Sequence, residues 1–231
     1  MIQKQLLAVA VVALAWSRMS SGQEPADPPP VYKGRQVAHV MSFRGASWLE
    51  RDGRDGEEQT ATLLDKMGLE NGQNVADIGA GSGYHSRKMA RRIAPDGTVF
   101  AVDIQPEMLR ILGQLAEREG VTNIVEVQGR EDDPFLPEGE IDWVLLVDVY
   151  HEIQQPEPML AGILESLGPG GRVALVEYRL EGETARHIKT EHRMSPDQVR
   201  SEWEPAGFEL VELWEELPSQ HVFIFQARTA P

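Results

Sequence analysis

Residues 74–83 read N-V-A-D-I-G-A-G-S-G, and the fold turns on how this run is read. Val75, Ala76 and Ile78 form a short apolar run suited to a buried parallel strand. Gly79, Ala80, Gly81 and Ser82 follow as a turn in which two glycines permit positive φ and present no Cβ to a ligand. Gly83 then opens a helical pattern. Strand, tight turn and helix N-terminus in succession aim backbone N–H groups, with the positive end of a helix dipole behind them, at a negative or polar ligand group. As a bare pattern G-x-G-x-G is close to the G-x-G-x-x-G of NAD-binding folds, so the flanking residues must decide. Asp77 stands two positions before the first glycine, at the carboxyl end of its strand, where it can reach the crevice beyond the sheet. Residues 98–102 read as a second strand that ends in Asp103, and an acidic side chain there is placed to accept hydrogen bonds from two ribose hydroxyls.

The D-x-G-x-G-x-G run from Asp77 to Gly83, with Asp103 ending the next strand, resembles the class I S-adenosylmethionine-dependent methyltransferases. A second feature of that family is L-x-P-G-G entering a strand, present here as Leu167 with Gly168-Pro169-Gly170-Gly171 before residues 173–176. The resemblance runs from about residue 57 to the C-terminus. It implies an α/β, Rossmann-like fold: a seven-stranded, mostly parallel sheet with a C-terminal antiparallel hairpin and helices on both faces. It also implies S-adenosyl-L-methionine as cofactor, held by Asp77, Gly79, Ala80, Gly81, Ser82, Gly83, Asp103 and Ile104. By the same resemblance Gly129, Arg130 and Glu131, just after the third strand, are candidates for contact with the adenine ring. Asp148 either is structural or faces the cofactor's amino-acid portion.

The remaining elements follow from periodicity. Residues 84–93 read as the first crossover helix and Pro95-Asp96-Gly97 as the turn into the second strand. Pro106 starts a helix that runs to about residue 119 and stops at Gly120. Residues 124–128 make the third strand. Residues 141–147 are a near-continuous apolar run, as expected of a central strand covered on both faces. That strand delivers Asp148-Val149-Tyr150-His151-Glu152-Ile153 to the carboxyl edge, where α/β enzymes place their chemistry. His151 and Glu152 are the leading polar groups for the acceptor side. His151, with an ordinary pKa of about 6.5, is the candidate general base, and Glu177 or His192 could orient it. Lys189, His192 and Arg193 lie in a segment, residues 188–195, that looks like a substrate-covering loop. A helix over residues 196–206 and strands over 208–217 and 221–227 close the chain, with nothing left to supply the second domain of an NAD-dependent dehydrogenase.

Lys4, the apolar run 6–16 and the small residues up to Gly22 read as a signal peptide over residues 1–22, an N-terminal helix of a cytosolic protein being the alternative. The run falls short of the about 20 residues a membrane span needs. Residues 23–42 read as a proline-rich linker and 43–231 as the catalytic domain. Its first part, 43–67, is expected to form a cover that includes a helix over 57–67 with Leu63, Leu64 and Met67 on one face; by the resemblance Trp48, Arg51 and Arg54 would line the acceptor pocket, Trp48 being equally readable as a packing anchor. The chain has no cysteine, which excludes disulfides, thiolate metal sites and cysteine nucleophiles. Its net charge of −15 argues against nucleic acid or an anionic membrane as partner. Arg87, Lys88, Arg91 and Arg92 fall at helical spacing and read as a solvated helix face. His151, His187, His192 and Glu152 have the spacing of no recognised metal motif, so no metal is assigned.

These readings give an exported, periplasmic methyltransferase acting on a small molecule or an envelope component. The competing reading is a non-catalytic protein that binds S-adenosylmethionine or S-adenosylhomocysteine, since the methyl donor is made in the cytosol. A sulfonium methyl is already activated, so the protein's main task is to align an acceptor lone pair behind the S–CH₃ bond, a positioning effect of about 7–11 kcal/mol. The acceptor atom and the oligomeric state are left open.

Overall fold

The computed structural model describes residues 30–228, so the signal-peptide reading and the first part of the proposed linker lie outside the described residues. Seven strands carry the architecture: β1 (Asn74–Ile78), β2 (Thr98–Asp103), β3 (Ile124–Gln128), β4 (Ile141–Val147), β5 (Leu167–Arg179), β6 (Phe208–Trp214) and β7 (Gln220–Ala227). Their order across the sheet is β3-β2-β1-β4-β5-β7-β6, with the two-residue strand Arg193–Met194 added beside β5 to make eight. The first five run parallel, and β7 is antiparallel to both β5 and β6.

The sheet is covered on both faces because its strands are apolar on both faces. In β4, Trp143 and Leu145 join one core cluster while Val144 and Leu146 join the other. The first cluster takes Leu63, Leu64 and Met67 from α3 (Thr60–Met67) and Met89 and Ile93 from α4 (Tyr84–Ile93). The second takes Leu160 and Ile163 from α6 (Pro156–Ser166) and Val199 and Trp203 from α7 (Pro196–Trp203). Burial of about 1.5–3 kcal/mol per large apolar side chain makes this two-sided packing the main source of stability. Helix α5 (Pro106–Arg118) packs on β2 and β3. From β1 the chain builds β2 and β3 on one side, then crosses to β4 on the other. The strand order reverses between β1 and β4, and a crevice opens outside their carboxyl ends. Among the described residues no helix is long and apolar enough to cross a membrane.

Several expectations change. The single helix expected over 57–67 is two pieces, α2 (Arg54–Glu58) and α3, broken at Gln59, whose φ is +50°. The break lets Glu58 face Arg51 and Arg54 while Leu63 and Leu64 still reach the sheet. Residues 30–42 are not a linker. Val31–Tyr32 and Arg35–Gln36 pair as a hairpin, Val37 and Ala38 are buried, and Arg35 reaches Glu202 at 2.7 Å. Apolar residues after the prolines dock this strap on the domain. The basic face of α4 is not simply solvated either. Arg87 is buried and pairs with Glu50 at 2.7 Å and Glu119 at 3.1 Å, and Lys88, Arg91 and Arg92 pair with Asp55, Glu119 and Asp65. Periodicity names a helix face; the acids that meet it come from other elements.

Candidate active site

The reversal point holds a cleft of about 730 Å³, the open solvent at its mouth included. Gly79, Gly81, Asp103, Ile104, Arg130, Glu131 and Glu152 line it, together with Val40, Met41, Leu49, Gln105, Met108 and Val149. Close backbone approach requires the first glycine. Gly79 has φ +71°, and a Cβ built on it would lie 2.3 Å from Val149 Cγ2. The N–H groups of Gly79 and Ala80 both donate to Val102 O at 2.9 Å, which stitches the turn to β2.

Asp103, at the end of β2, accepts from Gly81 N at 2.9 Å and from Gln105 N at 2.8 Å. Burial raises its pKa and these backbone donors pull it back, so its carboxylate is held in one orientation at the cleft wall. Gln105 is a residue that sequence reading missed. Its side chain accepts from Phe43 N at 2.8 Å and donates to Met41 O at 2.9 Å, fastening the strap over the Asp103 turn.

Of the other cofactor candidates, Asp77, Ala80, Ser82, Gly83, Gly129 and Asp148 do not line the cleft, whereas Ile104, Arg130 and Glu131 do. Asp77 is buried, takes the Ser86 hydroxyl of α4 and has its pKa pushed up to about 6 by burial. Ser82 donates to Glu50 at 2.6 Å, and Gly83, at φ +80°, lets the start of α4 pack on Leu112. Gly129 donates to Asp103 O at 3.2 Å. Arg130 pairs with Asp132 at 3.1 Å and covers the Phe135 ring. Asp148 has a strained φ of +51°, accepts from Gln220 Nε2 at 2.7 Å through one oxygen and leaves Oδ1 buried without a partner. Burial, with Glu177 and Glu58 nearby, holds its carboxyl well above the usual range.

Beyond the glycine turn lies the acceptor side. Residues 150–152 form a short 3-10 turn rather than a strand end. His151 is 2% exposed, and its Nδ1 meets Glu177 Oε2 at 2.6 Å while its backbone N–H donates to Glu177 Oε1 at 3.2 Å. The carboxylate accepts a hydrogen bond from Nδ1–H, which leaves the Nε2 lone pair facing His192 Nδ1 at 3.0 Å. Burial works against charge on His151, but Glu177 outweighs it and the pKa is raised; His192 is lowered by burial and by His151. Glu152 Oε1 stands 4.0 Å from His151 Nε2 and 3.9 Å from His192 Nδ1. Burial raises the Glu152 pKa to about 7. Of the four catalytic candidates, Glu152 lines the cleft; His151 and Glu177 stand behind it.

The cover differs from expectation. Trp48, Arg51 and Arg54 do not line the cleft. Trp48 is half exposed with the Arg51 guanidinium 3.9 Å above its ring, and Arg54 is buried against Glu58 at 2.9 Å. Leu49, Val40 and Met41 take their place, because the strap and the cover's short helix α1 (Ala46–Leu49) turn their apolar side chains inward. In the loop after β5, His192 reaches His151 while Lys189 stays exposed and Arg193 pairs with Thr190.

The site suits a cationic nucleoside. Glycines clear the wall, Asp103 offers a fixed carboxylate, and Asp148, Glu152 and Glu177 place further carboxyl groups at the strand ends. The buried unpaired Asp148 Oδ1 is the kind of acceptor a bound ligand satisfies.

Comparison with known proteins agrees. A family profile described as Methyltransferase domain matches residues 69–219. A protein-L-isoaspartate O-methyltransferase of Aeropyrum pernix is 30% identical over 144 residues, 58% of this chain; the match spans about half, 52%, of that relative's length. A ubiquinone/menaquinone biosynthesis C-methyltransferase of Pseudomonas putida is 25% identical over 219 residues, 80% of this chain and 86% of that protein. The crystal structure of an S-adenosylmethionine-dependent methyltransferase from Aquifex aeolicus superposes with a TM-score of 0.75 at 20% identity, covering 80% of this chain and 98% of the other.

Proposed function

We propose, from the premise that this chain belongs to the class I S-adenosylmethionine-dependent methyltransferases, that its acceptor is a small molecule whose reacting atom is presented to Glu152 at the inner wall of the cleft. Bound S-adenosylmethionine supplies an activated methyl group. The chain supplies placement, exclusion of water and a home for the acceptor's proton.

The observation that carries this reading is the grouping of Glu152, His192, His151 and Glu177 beside the cleft. A carboxyl with a pKa of about 7 is matched to proton transfer near neutral pH, a contribution on the order of 10²–10⁴ in rate. Glu177 positions His151, and His151 with His192 stabilises the neighbouring carboxylate when it holds charge. The strap, through Val40 and Met41, closes the apolar side of the cleft. A quinone-pathway methyltransferase among the relatives supports a small-molecule acceptor, and the charge of −15 supports a partner other than nucleic acid. The signal-like residues 1–22 support action outside the cytoplasm, on a soluble or envelope-associated compound. N-terminal sequencing of protein from a periplasmic fraction tests that location.

The function is tested by titrating the protein with S-adenosylhomocysteine and following label from methyl-labelled donor into a panel of small hydroxyl, amine and carbon acceptors. Glu152→Gln is expected to retain product binding and to lose turnover about 100-fold. No binding of S-adenosylhomocysteine, or full turnover in Glu152→Gln, overturns the reading.

A further inference from the structure

We propose that His151 Nε2, His192 Nδ1 and Glu152 form a divalent-cation site at the acceptor end of the cleft, an inference that rests on the methyl-transfer reading for what occupies its open side. The three donor atoms lie within 4.8 Å of one another. The two ring nitrogens are 3.0 Å apart, so both can sit at about 2.1 Å from one ion with a near right angle between the bonds. Glu152 Oε1, at 4.0 and 3.9 Å from them, closes on that ion by a small side-chain rotation.

The surroundings of His151 are those of a metal-bound imidazole. Its Nδ1 is taken by the buried Glu177 carboxylate at 2.6 Å, which fixes the tautomer and turns the Nε2 lone pair toward His192. A carboxylate behind a ligating histidine in this way orients the ring and raises its basicity. The backbone is also held. His151 O accepts from Ala38 N at 2.9 Å and from Arg35 Nη1 at 3.1 Å, so the strap anchors the turn that carries two of the three ligands. His192 comes from a second short turn, Thr190–His192, packed against the first. The exposed His187 does not join the group.

Two imidazoles and a carboxylate suit zinc, manganese, iron or nickel better than magnesium or calcium. Three protein ligands leave room for a further one, the pattern of catalytic rather than structural zinc sites. Glu152 lines the cleft, so the open side faces the acceptor. The substrate class such a site would hold is a small molecule bearing a hydroxyl or two neighbouring oxygens. In the loaded site the cation would lower the acceptor's pKa, so that its proton could pass to solvent while Glu152 holds the ion.

The test uses the full chain stripped with a chelator and then titrated calorimetrically with Zn²⁺, with Co²⁺ absorption as a second readout and S-adenosylhomocysteine titrated in parallel. One Zn²⁺ per chain is expected. His192→Ala should weaken Zn²⁺ at least tenfold, Glu177→Gln roughly 10- to 100-fold although it touches no ion, and His187→Ala should leave the affinity alone. Nucleoside binding retained in these variants shows that they are folded. A chain that binds S-adenosylhomocysteine but no stoichiometric Zn²⁺ or Co²⁺, or that binds Zn²⁺ equally well as His192→Ala, overturns the cation site. A chain that binds Zn²⁺ through His192 but not the nucleoside sustains the site and overturns the methyl-transfer reading instead.

Discussion

Gly79→Ala tests the geometry of the cleft floor. The backbone there has φ +71°, where an L side chain costs about 1–2 kcal/mol. The added Cβ would also lie 2.3 Å from Val149 Cγ2 and 2.9 Å from Val149 Cβ, an overpacked contact worth a further 1–3 kcal/mol or so. The sum, about 2–5 kcal/mol, corresponds to a fall in Tm of roughly 4–20 °C for a domain of this size. Urea unfolding followed by circular dichroism measures the stability, and titration with S-adenosylhomocysteine measures the site. Because both residues line the cleft, nucleoside affinity should fall with stability. Val149→Ala removes the Cγ contacts but leaves the 2.9 Å one, so in that background Gly79→Ala should cost less by about 1 kcal/mol or more. A Gly79→Ala protein within about 0.5 kcal/mol of wild type, or a double mutant with no coupling, would refute the argument that Val149 excludes a side chain here.

Three other outcomes follow from the same structure. Asp103→Asn leaves one of the Gly81 and Gln105 N–H groups facing an amide donor, a cost of about 1–3 kcal/mol, and should weaken S-adenosylhomocysteine binding roughly 5- to 150-fold by calorimetry; equal affinity would displace Asp103 from the nucleoside. Arg35→Ala removes the cation facing the fully buried Glu202, with Tyr150 and Gln198 still donating to it, and should cost about 3 kcal/mol in denaturant unfolding while speeding tryptic cleavage after the already exposed Lys33 as the strap loosens. An unchanged midpoint would mean that the strap is not part of the folded unit. Glu152 carries a pH signature: its folded pKa of about 7 lies above its ordinary 4.5, so the stability linked to it is fully present below about pH 4.5 and lost as pH rises through about 7. Glu152→Gln should therefore match wild type near pH 4.5 and exceed it by roughly 3 kcal/mol at pH 8; parallel stability curves would contradict the raised pKa.

Elements whose signals are local were legible in the chain's own residue pattern. Strand β1, the glycine turn, β4 and the crossover helix α4 sit where periodicity and turn chemistry put them, because an apolar run and a positive-φ glycine act on their own neighbours. The seven-stranded, mostly parallel sheet with its antiparallel C-terminal pair followed from that pattern together with the family resemblance, whereas the order of the strands came from the fold itself. What met across the fold depended on packing between distant elements. Arg87 looked solvated because Glu50 and Glu119, its partners, come from the cover and the end of α5. Residues 30–42 looked like a linker because their anchors, Glu202 and the carbonyl of His151, are far along the chain. Spacing did not relate His151 to His192, which are 41 residues apart, and contact between two short turns sets them 3.0 Å apart. Periodicity reports which side of an element is buried, whereas a site is made by side chains from different elements converging on one point, and only packing of the whole chain sets that point.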